Sequence, residues 1–318
     1  MFHTLNDVSQ NVSRETLSII QKFKRMFHVK HPFYNLQNFH NEYYGISLSE
    51  VLYCISRNCG KEKTMGRVIA VANQKGGVGK TTTSINLSSS LVELGKKVLT
   101  IDMDPQGNTT SGLGIDKNEV ESTVYELLLD EATVDEAIHS SIMEGLDVIA
   151  SNINLSGAEV ELISFENKEF LLKDKIDSVK DNYDFIVIDC PPSLNLLTIN
   201  AMTTADSILV PIQCEYYALE GLSQLIHTID LIKDRLNPNL EIEGVVFTMF
   251  DARTNLSLQV VENVKENLDR NIYKTIIPRN IRLAEAPSYG MPINMYDRRS
   301  TGAEAYRLLA EEVIQYSK

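Results

Sequence analysis

The sequence predicts an α/β protein built on a doubly wound, mostly parallel sheet with helices on both faces. Short apolar segments rich in Val and Ile alternate with longer segments that have helical periodicity. Near-continuous apolar strands of this kind are typical of parallel sheets that are covered on both sides. A glycine-rich segment also follows the first strand and leads directly into a helical pattern, which places a loop at the end of that strand.

The strands and helices follow one another in a regular order after residue 65. KTTTSINLSSSLVELG is predicted to be a helix that ends at Gly95, because glycine commonly closes helices. EGLSQLIHTIDLIKDRL is predicted to be a second long helix. The predicted strands are GRVIAVAN, KKVLTIDMD, LDVIAS, YDFIVIDC, DSILVPIQ, EGVVFTMF and IYKTIIP.

The composition excludes several classes of protein. With 318 residues, of which 43% are hydrophobic and 23% charged, the chain resembles ordinary soluble proteins. It contains no apolar run of the roughly 20 residues needed to cross a bilayer, and its N-terminus lacks the pattern of a secretory signal. The spacing of Cys54, Cys59, Cys190 and Cys214 indicates neither a disulfide framework nor a zinc site. We therefore expect reduced thiols in a cytoplasmic protein.

The chain divides near Met65 into an N-terminal extension, residues 1–64, and a main domain, residues 65–318. The extension carries eight Lys and Arg against five Asp and Glu, whereas the main domain carries 22 against 38. A short helix is predicted over residues 12–27, and NCGKEKT is predicted to be a polar linker. The extension lacks sustained periodicity, which favours disorder or weak structure.

The segment KGGVGKTT has the composition of a phosphate-binding loop. Its glycines allow the backbone to approach an anion, and the following helix adds a favourable dipole at its N-terminus. Lys80 is expected to reach the β- and γ-phosphates, and the Thr81 hydroxyl to bind Mg²⁺. The predicted nucleotide-binding residues are Lys75, Gly76, Gly77, Val78, Gly79, Lys80, Thr81 and Thr82.

This loop departs from the usual pattern G-x-x-x-x-G-K-[ST], because Gln74 stands at the first glycine position. Lys75 is an additional feature that backbone geometry does not explain. A surface lysine is usually only solvated, but a lysine inside a phosphate loop is expected to be a second phosphate ligand.

Acidic residues end two of the predicted strands. VLTIDMDPQGN carries Asp102 and Asp104, and YDFIVIDCPPS carries Asp189. The chemistry of open α/β sheets gathers at the carboxyl ends of strands. One carboxylate can hold Mg²⁺ through water, and another can orient the attacking water. A simple strand cap is the alternative, and it suits Asp102 better than the other two.

From Met65 onward, about four-fifths of the chain resembles the ParA/Soj-type chromosome-partitioning ATPases, which are P-loop NTPases with a deviant Walker A motif. The segments that carry the resemblance are KGGVGKTT, DMDPQGN, VIDCPPSLNLLTINA, PIQCEYYALEGLSQL, MFDARTNLS and IPRNIRLAEAPSYGMPI. The resemblance implies a slow ATPase that uses ATP and Mg²⁺ and forms an ATP-dependent homodimer around two nucleotides.

The resemblance also implies roles for individual residues. Lys75 would cross the dimer interface to the partner's phosphates, while Lys80 and Thr81 would serve the nucleotide of their own chain. Asp104 would position the attacking water, and it would share the magnesium shell with Thr81 and Asp189. The residues near the adenine would be Pro278, Arg279 and Asn280.

The resemblance further implies nonspecific binding to double-stranded DNA, with Arg253 and Arg282 as contacts. Surface salt bridges with Glu266, Asp269 or Glu285 are the alternative for these arginines. A ParB-like centromere-binding protein would be the activating partner. The protein would then be cytoplasmic and nucleoid-associated, with an effect on transcription as a further expectation.

Three other readings share part of the pattern. A MinD-type membrane-positioning ATPase has the same nucleotide motifs, but it usually ends in a basic amphipathic helix, whereas this chain ends AYRLLAEEVIQYSK. An iron–sulfur relative needs cluster-binding cysteines, which Cys190 and Cys214 match poorly. An ATP-gated scaffold or transcriptional co-regulator with negligible turnover is not separated by sequence.

The segment MFHVKH, residues 26–31, suggests a different origin for the extension. The centromere palindrome associated with this family, TGTTTCACGTGAAACA, translates as Met-Phe-His-Val-Lys-His when a leading A and a trailing T are added and it is read as ATG-TTT-CAC-GTG-AAA-CAT. All six residues match. We therefore expect residues 1–64 to be upstream DNA read as protein, with Met65 as the natural start. A genuine DNA-binding or regulatory arm is the alternative.

Overall fold

The computed structural model describes residues 66–215 and 218–316. The extension, the helix predicted over residues 12–27 and the MFHVKH segment lie outside these residues. The described chain forms one eight-stranded sheet with the order β3-β4-β2-β5-β1-β6-β7-β8. The strands are β1 (Arg67–Val71), β2 (Val98–Asp102), β3 (Ile138–Ser140), β4 (Leu146–Ile149), β5 (Phe185–Asp189), β6 (Ser207–Gln213), β7 (Glu241–Phe250) and β8 (Ile272–Pro278).

Seven of the eight strands are parallel to one another and correspond to the seven predicted from sequence. The eighth, β3, pairs antiparallel with β4 at one edge. It was not predicted, because three residues are too few to show an apolar period and only its pairing with β4 identifies it. The predicted fold class is therefore confirmed, with one added edge strand.

Twelve α-helices and three 3₁₀ turns connect the strands in the described chain. The 3₁₀ turns are Leu162–Ser164, Lys180–Asn182 and Ala286–Tyr289. The helices are α1 (Lys80–Glu93), α2 (Asn108–Gly112), α3 (Val124–Leu128), α4 (Val134–Ala137), α5 (Leu155–Glu161), α6 (Leu171–Ile176), α7 (Leu196–Thr204), α8 (Ala218–Arg235), α9 (Asn255–Asn267), α10 (Ile281–Glu285), α11 (Ile293–Tyr296) and α12 (Thr301–Tyr316).

Helix α1 confirms both ends of the prediction. Gly79 precedes it with φ of 90°, and Gly95 follows it with φ of 81°, a conformation that residues with a Cβ rarely adopt. The Gly95 amide donates to the Val92 carbonyl and closes the last turn. Within α1 the buried residues include many serines and threonines, whose small side chains let the helix pack closely on the sheet.

The sheet separates two hydrophobic cores. Strand β1 shows how they are built, because Val68 and Ala70 belong to one core while Ile69 and Val71 belong to the other. One core is covered mainly by α3 and α5 to α9, and the other by α1 and α10 to α12. This alternation in a fully buried strand explains the continuous apolar sequence. None of the helices in the described ranges combines the length and apolar character needed to cross a membrane.

The register of the central strands brings the predicted motifs together. Val71 at the end of β1 pairs with Asp189 at the end of β5, and Asp189 pairs with Asp102 at the end of β2. The three strands are direct neighbours, so the glycine-rich loop and both acidic segments leave the sheet at the same edge. This edge of the sheet is the candidate site.

Candidate active site

The glycine-rich loop is anchored at both ends by side-chain hydrogen bonds. The Asn73 amide nitrogen donates to the Pro211 carbonyl at 2.8 Å, and its oxygen accepts from the Lys75 backbone at 2.9 Å. Further along, the Thr248 hydroxyl donates to the Val78 carbonyl at 2.7 Å. These hydrogen bonds fix the shape of the loop, and none of them involves its glycines.

The middle of the loop presents its backbone to open space. A Cβ built on Gly76 or Gly77 would meet no atom within 4 Å, and both residues are exposed. Gly77 has φ of 75°, in the left-handed region that favours glycine. A bare backbone at the N-terminus of a 14-residue helix is suited to an anion with several oxygens. The loop therefore fits a polyphosphate chain.

Lys80 lies inside this loop. Its side-chain nitrogen donates to the Lys75 carbonyl at 3.1 Å, and the residue is only 7% exposed. Burial lowers the pKa of Lys80, while the nearby charges of Asp189, Cys190 and Asp104 oppose that shift. Because Nζ has three protons, it retains capacity for a negatively charged ligand in the loop.

Asp189 is fully buried and accepts three hydroxyl hydrogen bonds. Thr81 and Thr109 donate to Oδ2 at 2.9 and 2.7 Å, and Ser84 donates to Oδ1 at 3.1 Å. Burial raises the pKa of Asp189, whereas the three hydroxyls lower it. A hydroxyl and a carboxylate held together in this way are oxygen ligands of the type that Mg²⁺ uses.

The two other predicted acids differ sharply in environment. Asp102 is completely buried, and its carboxylate accepts hydrogen bonds from the backbone amide and the hydroxyl of Thr110, both at 2.8 Å. Asp104 is half-buried, and its carboxylate accepts from the Gln106 backbone at 2.9 Å. The charge of Asp104 raises the pKa of both Lys80 and Asp189, so it belongs to the same electrostatic site.

The side chain of Lys75 is paired with a residue outside the loop. Its ammonium group is paired with the carboxylate of Glu215, which follows β6, and both side chains are 41% exposed. Thr82, the last residue of the predicted loop, is half-buried, and its carbonyl accepts from the Asn86 side chain at 2.7 Å. The structure thus brings Lys80, Thr81 and Asp189 together, whereas Lys75 is paired with Glu215.

The predicted adenine segment follows the end of β8. Pro278 pairs with Phe250 in the sheet, and the Arg279 amide donates to the Phe250 carbonyl at 2.9 Å. The Asn280 oxygen caps α10 by accepting from the Arg282 backbone at 2.7 Å. These contacts show how the segment is held, and its role toward a base remains a prediction.

The two predicted DNA-contact arginines lie at this same end of neighbouring strands. Arg253 is 86% exposed and forms a two-pronged contact with Asp251, with distances of 2.8 and 2.7 Å. Arg282 is 52% exposed and donates to Glu285 at 2.8 Å. Of the salt bridges considered from sequence, the one to Glu285 is present, and Asp251 is an additional partner.

Several residues of this site were not identified from sequence. Ser84 and Thr109 are common residue types, and only the folded chain shows that both donate to Asp189. Glu215 lies 140 residues from Lys75, and Thr248 lies 170 residues from Val78. The one available signal was position, since Glu215 follows a predicted strand and Thr248 lies near the end of another.

The described residues contain no group of three or more His, Cys, Asp or Glu arranged to hold a metal ion. Cys190 and Cys214 are buried free thiols, and burial raises the pKa of Cys214 to about 11.

The chain is similar to a known protein family and to several characterised proteins. Residues 66–242 match the family model described as AAA domain. The sporulation initiation inhibitor protein Soj of Bacillus subtilis is 59% identical over 249 residues, which cover 78% of this chain and 98% of Soj. The chromosome partitioning protein ParA of Myxococcus xanthus is 49% identical over 271 residues, which cover 83% of this chain and 96% of that protein.

Similarity extends to solved structures. The structure described as cobyrinic acid a,c-diamide synthase from Mycobacterium smegmatis, with bound ADP and magnesium, has a TM-score of 0.71 and 37% sequence identity. The match covers 79% of this chain and 95% of that one. The level of identity to Soj and ParA across nearly their whole length, together with the family model, confirms the resemblance seen in the motifs. The chain belongs to the Soj/ParA family of chromosome-partitioning ATPases.

Proposed function

We propose that the protein hydrolyses ATP with Mg²⁺ and uses the nucleotide state to control dimerisation and DNA binding during chromosome or plasmid partitioning. One observation carries the proposal most directly. Lys80 and the Thr81–Asp189 pair converge beside the exposed backbone of Gly76 and Gly77, at the ends of adjacent strands. Family membership supports the same conclusion.

The residues of the site suit separate tasks in hydrolysis. The backbone of the loop and Lys80 bind the phosphates, and the Thr81 hydroxyl together with Asp189 holds Mg²⁺. Asp104, less buried than Asp189, orients the attacking water and adds to the charge around the ion. Mg²⁺ held there would supply positive charge against the negative charge that develops on the phosphate oxygens. The segment Pro278, Arg279 and Asn280 contacts the adenine.

Lys75 acts across a homodimer. Its side chain is 41% exposed and lies against Glu215 rather than over its own loop, so it is accessible to a second chain. In the ATP-bound dimer Lys75 contacts the phosphates of the partner chain. Turnover is slow without activation, and it requires the dimer because each site needs the second chain for its full set of cationic groups.

DNA binding is assigned to the arginine loops. Because Phe250 and Pro278 pair in the sheet, the loops carrying Arg253 and Arg282 leave it side by side. Their contacts are with phosphates, so binding is independent of base sequence and weakens with salt. A dimer doubles this surface, which makes DNA affinity depend on ATP. The protein is then cytoplasmic and nucleoid-associated, and its activator is a ParB-like partner bound to a centromere site.

The apolar face of helix α12 packs inside the protein. Helix α12 buries Leu309, Ala310 and Val313 in the core that α1 also covers. These apolar side chains are therefore unavailable to lipid, whereas a membrane-positioning relative would need a free apolar face.

Phosphate release from ATP tests the proposal directly. The protein should hydrolyse ATP only with Mg²⁺, and DNA together with a ParB-like partner should increase the rate. Lys80→Ala should abolish hydrolysis, while the exposed Lys265→Ala should behave as wild type. Absence of hydrolysis under all these conditions, with ATP binding intact, would instead support the scaffold or co-regulator reading.

A further inference from the structure

We propose that Asp102 is a positioning residue for hydrolysis, which fixes through Thr110 and Ser151 the turn that carries Asp104. The inference rests on the proposed function, because it takes Asp104 as the residue that orients the attacking water. Asp102 itself is fully buried and does not reach the open part of the site.

The carboxylate of Asp102 holds both ends of the turn that follows β2. Its Oδ1 accepts from the Asp104 backbone at 3.1 Å, at the start of the turn. Its Oδ2 accepts from the backbone and the hydroxyl of Thr110, both at 2.8 Å, in helix α2 after the turn. A single buried group thus sets the distance between the two ends of residues 104–110.

Ser151, which follows β4, closes the network. Its backbone amide donates to the Thr110 hydroxyl at 2.9 Å, and its own hydroxyl donates to the Asp104 carbonyl at 2.8 Å. The Thr110 hydroxyl therefore donates a hydrogen bond to Asp102 and accepts one from the Ser151 amide. Each of the four residues in this ring is hydrogen-bonded to two others. The backbone of Asp104 is therefore fixed both by Asp102 at the end of β2 and by Ser151 after β4.

Packing leaves the turn little room to move. Gly107 has φ of 61°, and a Cβ at this position would stand 2.6 Å from the Ser151 carbonyl oxygen. Asp102, Thr110 and Ser151 are each fully buried, so a broken hydrogen bond would leave an unsatisfied polar group. The neighbouring Thr109 binds Asp189 instead, so the two threonines serve different carboxylates.

The network is separate from the groups proposed to bind the phosphates. Neither the glycine-rich loop nor Lys80 donates to Asp102, Thr110 or Ser151 in the described chain. Loosening the network should therefore reduce kcat and leave KM for ATP nearly unchanged. A displacement of about 1 Å in a catalytic group can reduce a rate about a hundredfold.

Thr110→Val tests this role, because valine keeps the shape of threonine and removes only the hydroxyl. We expect kcat to fall about tenfold or more with KM within about twofold of wild type. Thr110→Ser restores the hydroxyl and should restore the rate. Thr100→Val is the matched control, since Thr100 is equally buried on β2 and its hydroxyl donates to Ser88 at 2.9 Å, outside the network.

A second measurement needs no nucleotide. Hydrogen exchange of the backbone amides in residues 104–110 should be faster in Thr110→Val than in wild type, and unchanged in Thr100→Val. Asp102→Asn should also accelerate exchange there, if that variant folds. Equal exchange in Thr110→Val and wild type would overturn the proposal, because the turn would then be held by other contacts.

Combining variants separates positioning from a general loss of stability. In an Asp104→Ala background, Thr110→Val should cause little further loss of rate, since both act through Asp104. A full additional loss would contradict the proposal. If wild type itself shows no hydrolysis, the proposed function fails. If wild type hydrolyses ATP and Thr110→Val matches it, only the role of Asp102 fails.

Discussion

The ammonium group of Lys75 is paired with the carboxylate of Glu215 in the same chain, across 140 positions of sequence. Both side chains are 41% exposed, and pairs of this kind contribute about 0–1 kcal/mol. Lys75 can therefore leave Glu215 at low cost when a stronger anion is offered. The pair keeps the Lys75 side chain partly exposed, where a second chain can reach it.

Two variants of this pair should have opposite effects on dimerisation. Lys75→Ala should remove the ATP-induced dimer, because the contact with the partner's phosphates is lost. Glu215→Gln should allow dimerisation at up to about thirtyfold lower protein concentration, since neither of the two Lys75 side chains in the dimer then has to leave a carboxylate. Light scattering with and without ATP measures both. Lys173→Ala, which removes an equally exposed lysine paired with Asp177, should dimerise as wild type. A normal ATP-induced dimer in Lys75→Ala would contradict the interface role.

Asp104→Ala should trap the dimer. Binding contacts from the loop and Lys80 remain, whereas the group that orients water is lost, so hydrolysis should fall at least about a hundredfold. The ATP dimer should then persist in size-exclusion chromatography, with ATP rather than ADP bound. Asp116→Ala changes an exposed aspartate of the following loop and should leave turnover intact. Normal turnover in Asp104→Ala would show that the residue has been misassigned.

Arg253→Glu and Arg282→Glu should each weaken binding to unrelated DNA duplexes by similar factors, with nucleotide binding unchanged. Each lost phosphate contact should also reduce the slope of log affinity against log salt by about 0.9. Fluorescence anisotropy at several salt concentrations, with ATP present, measures both effects. Arg270→Glu is the charge-matched control, because Arg270 precedes β8 at the opposite end of that strand. Loss of affinity for only one DNA sequence would indicate base recognition instead.

The stability of the nucleotide-free protein should depend on the protonation of Asp102. Burial raises the pKa of Asp102 above its ordinary value of 3.8, and the charge of Asp189 adds to the shift. The folded chain therefore keeps this proton at pH values where the unfolded chain has lost it. Raising the pH from about 4 to about 7 favours unfolding of wild type, so over that interval the stability of Asp102→Asn should rise relative to that of wild type.

Thermal unfolding at several pH values, without Mg²⁺ or nucleotide, measures this difference. A difference between Asp102→Asn and wild type that does not change with pH would contradict the prediction.

The main domain should function without residues 1–64. A chain that begins at Met65 should keep ATPase activity and DNA binding, because every motif of the site lies beyond that position. Intact mass of the protein from its native cells tests the origin of the extension. Recovery of peptides from residues 33–53 would contradict a start at Met65.

The sequence by itself determined the strands, the phosphate loop and the family. The apolar strands are buried on both faces, and such burial requires nearly continuous runs of apolar residues such as Val and Ile. A run of this kind can be recognised in the local sequence of each strand. The glycine-rich loop was equally visible, because the conformations at Gly77 and Gly79 restrict the residue type locally. Asp104 and Asp189 could be proposed because the ends of parallel strands meet at one edge of a sheet.

The tertiary structure alone decided which side chains meet at that edge. The three hydroxyls on Asp189, the pairing of Lys75 with Glu215 and the ring from Asp102 through Thr110 and Ser151 all join distant segments. Strand β3 also became identifiable only through its pairing with β4. The physical reason is that a hydrogen bond between segments depends on strand order and register. Both are set by packing of the whole sheet, and neither leaves a periodic mark on the local sequence.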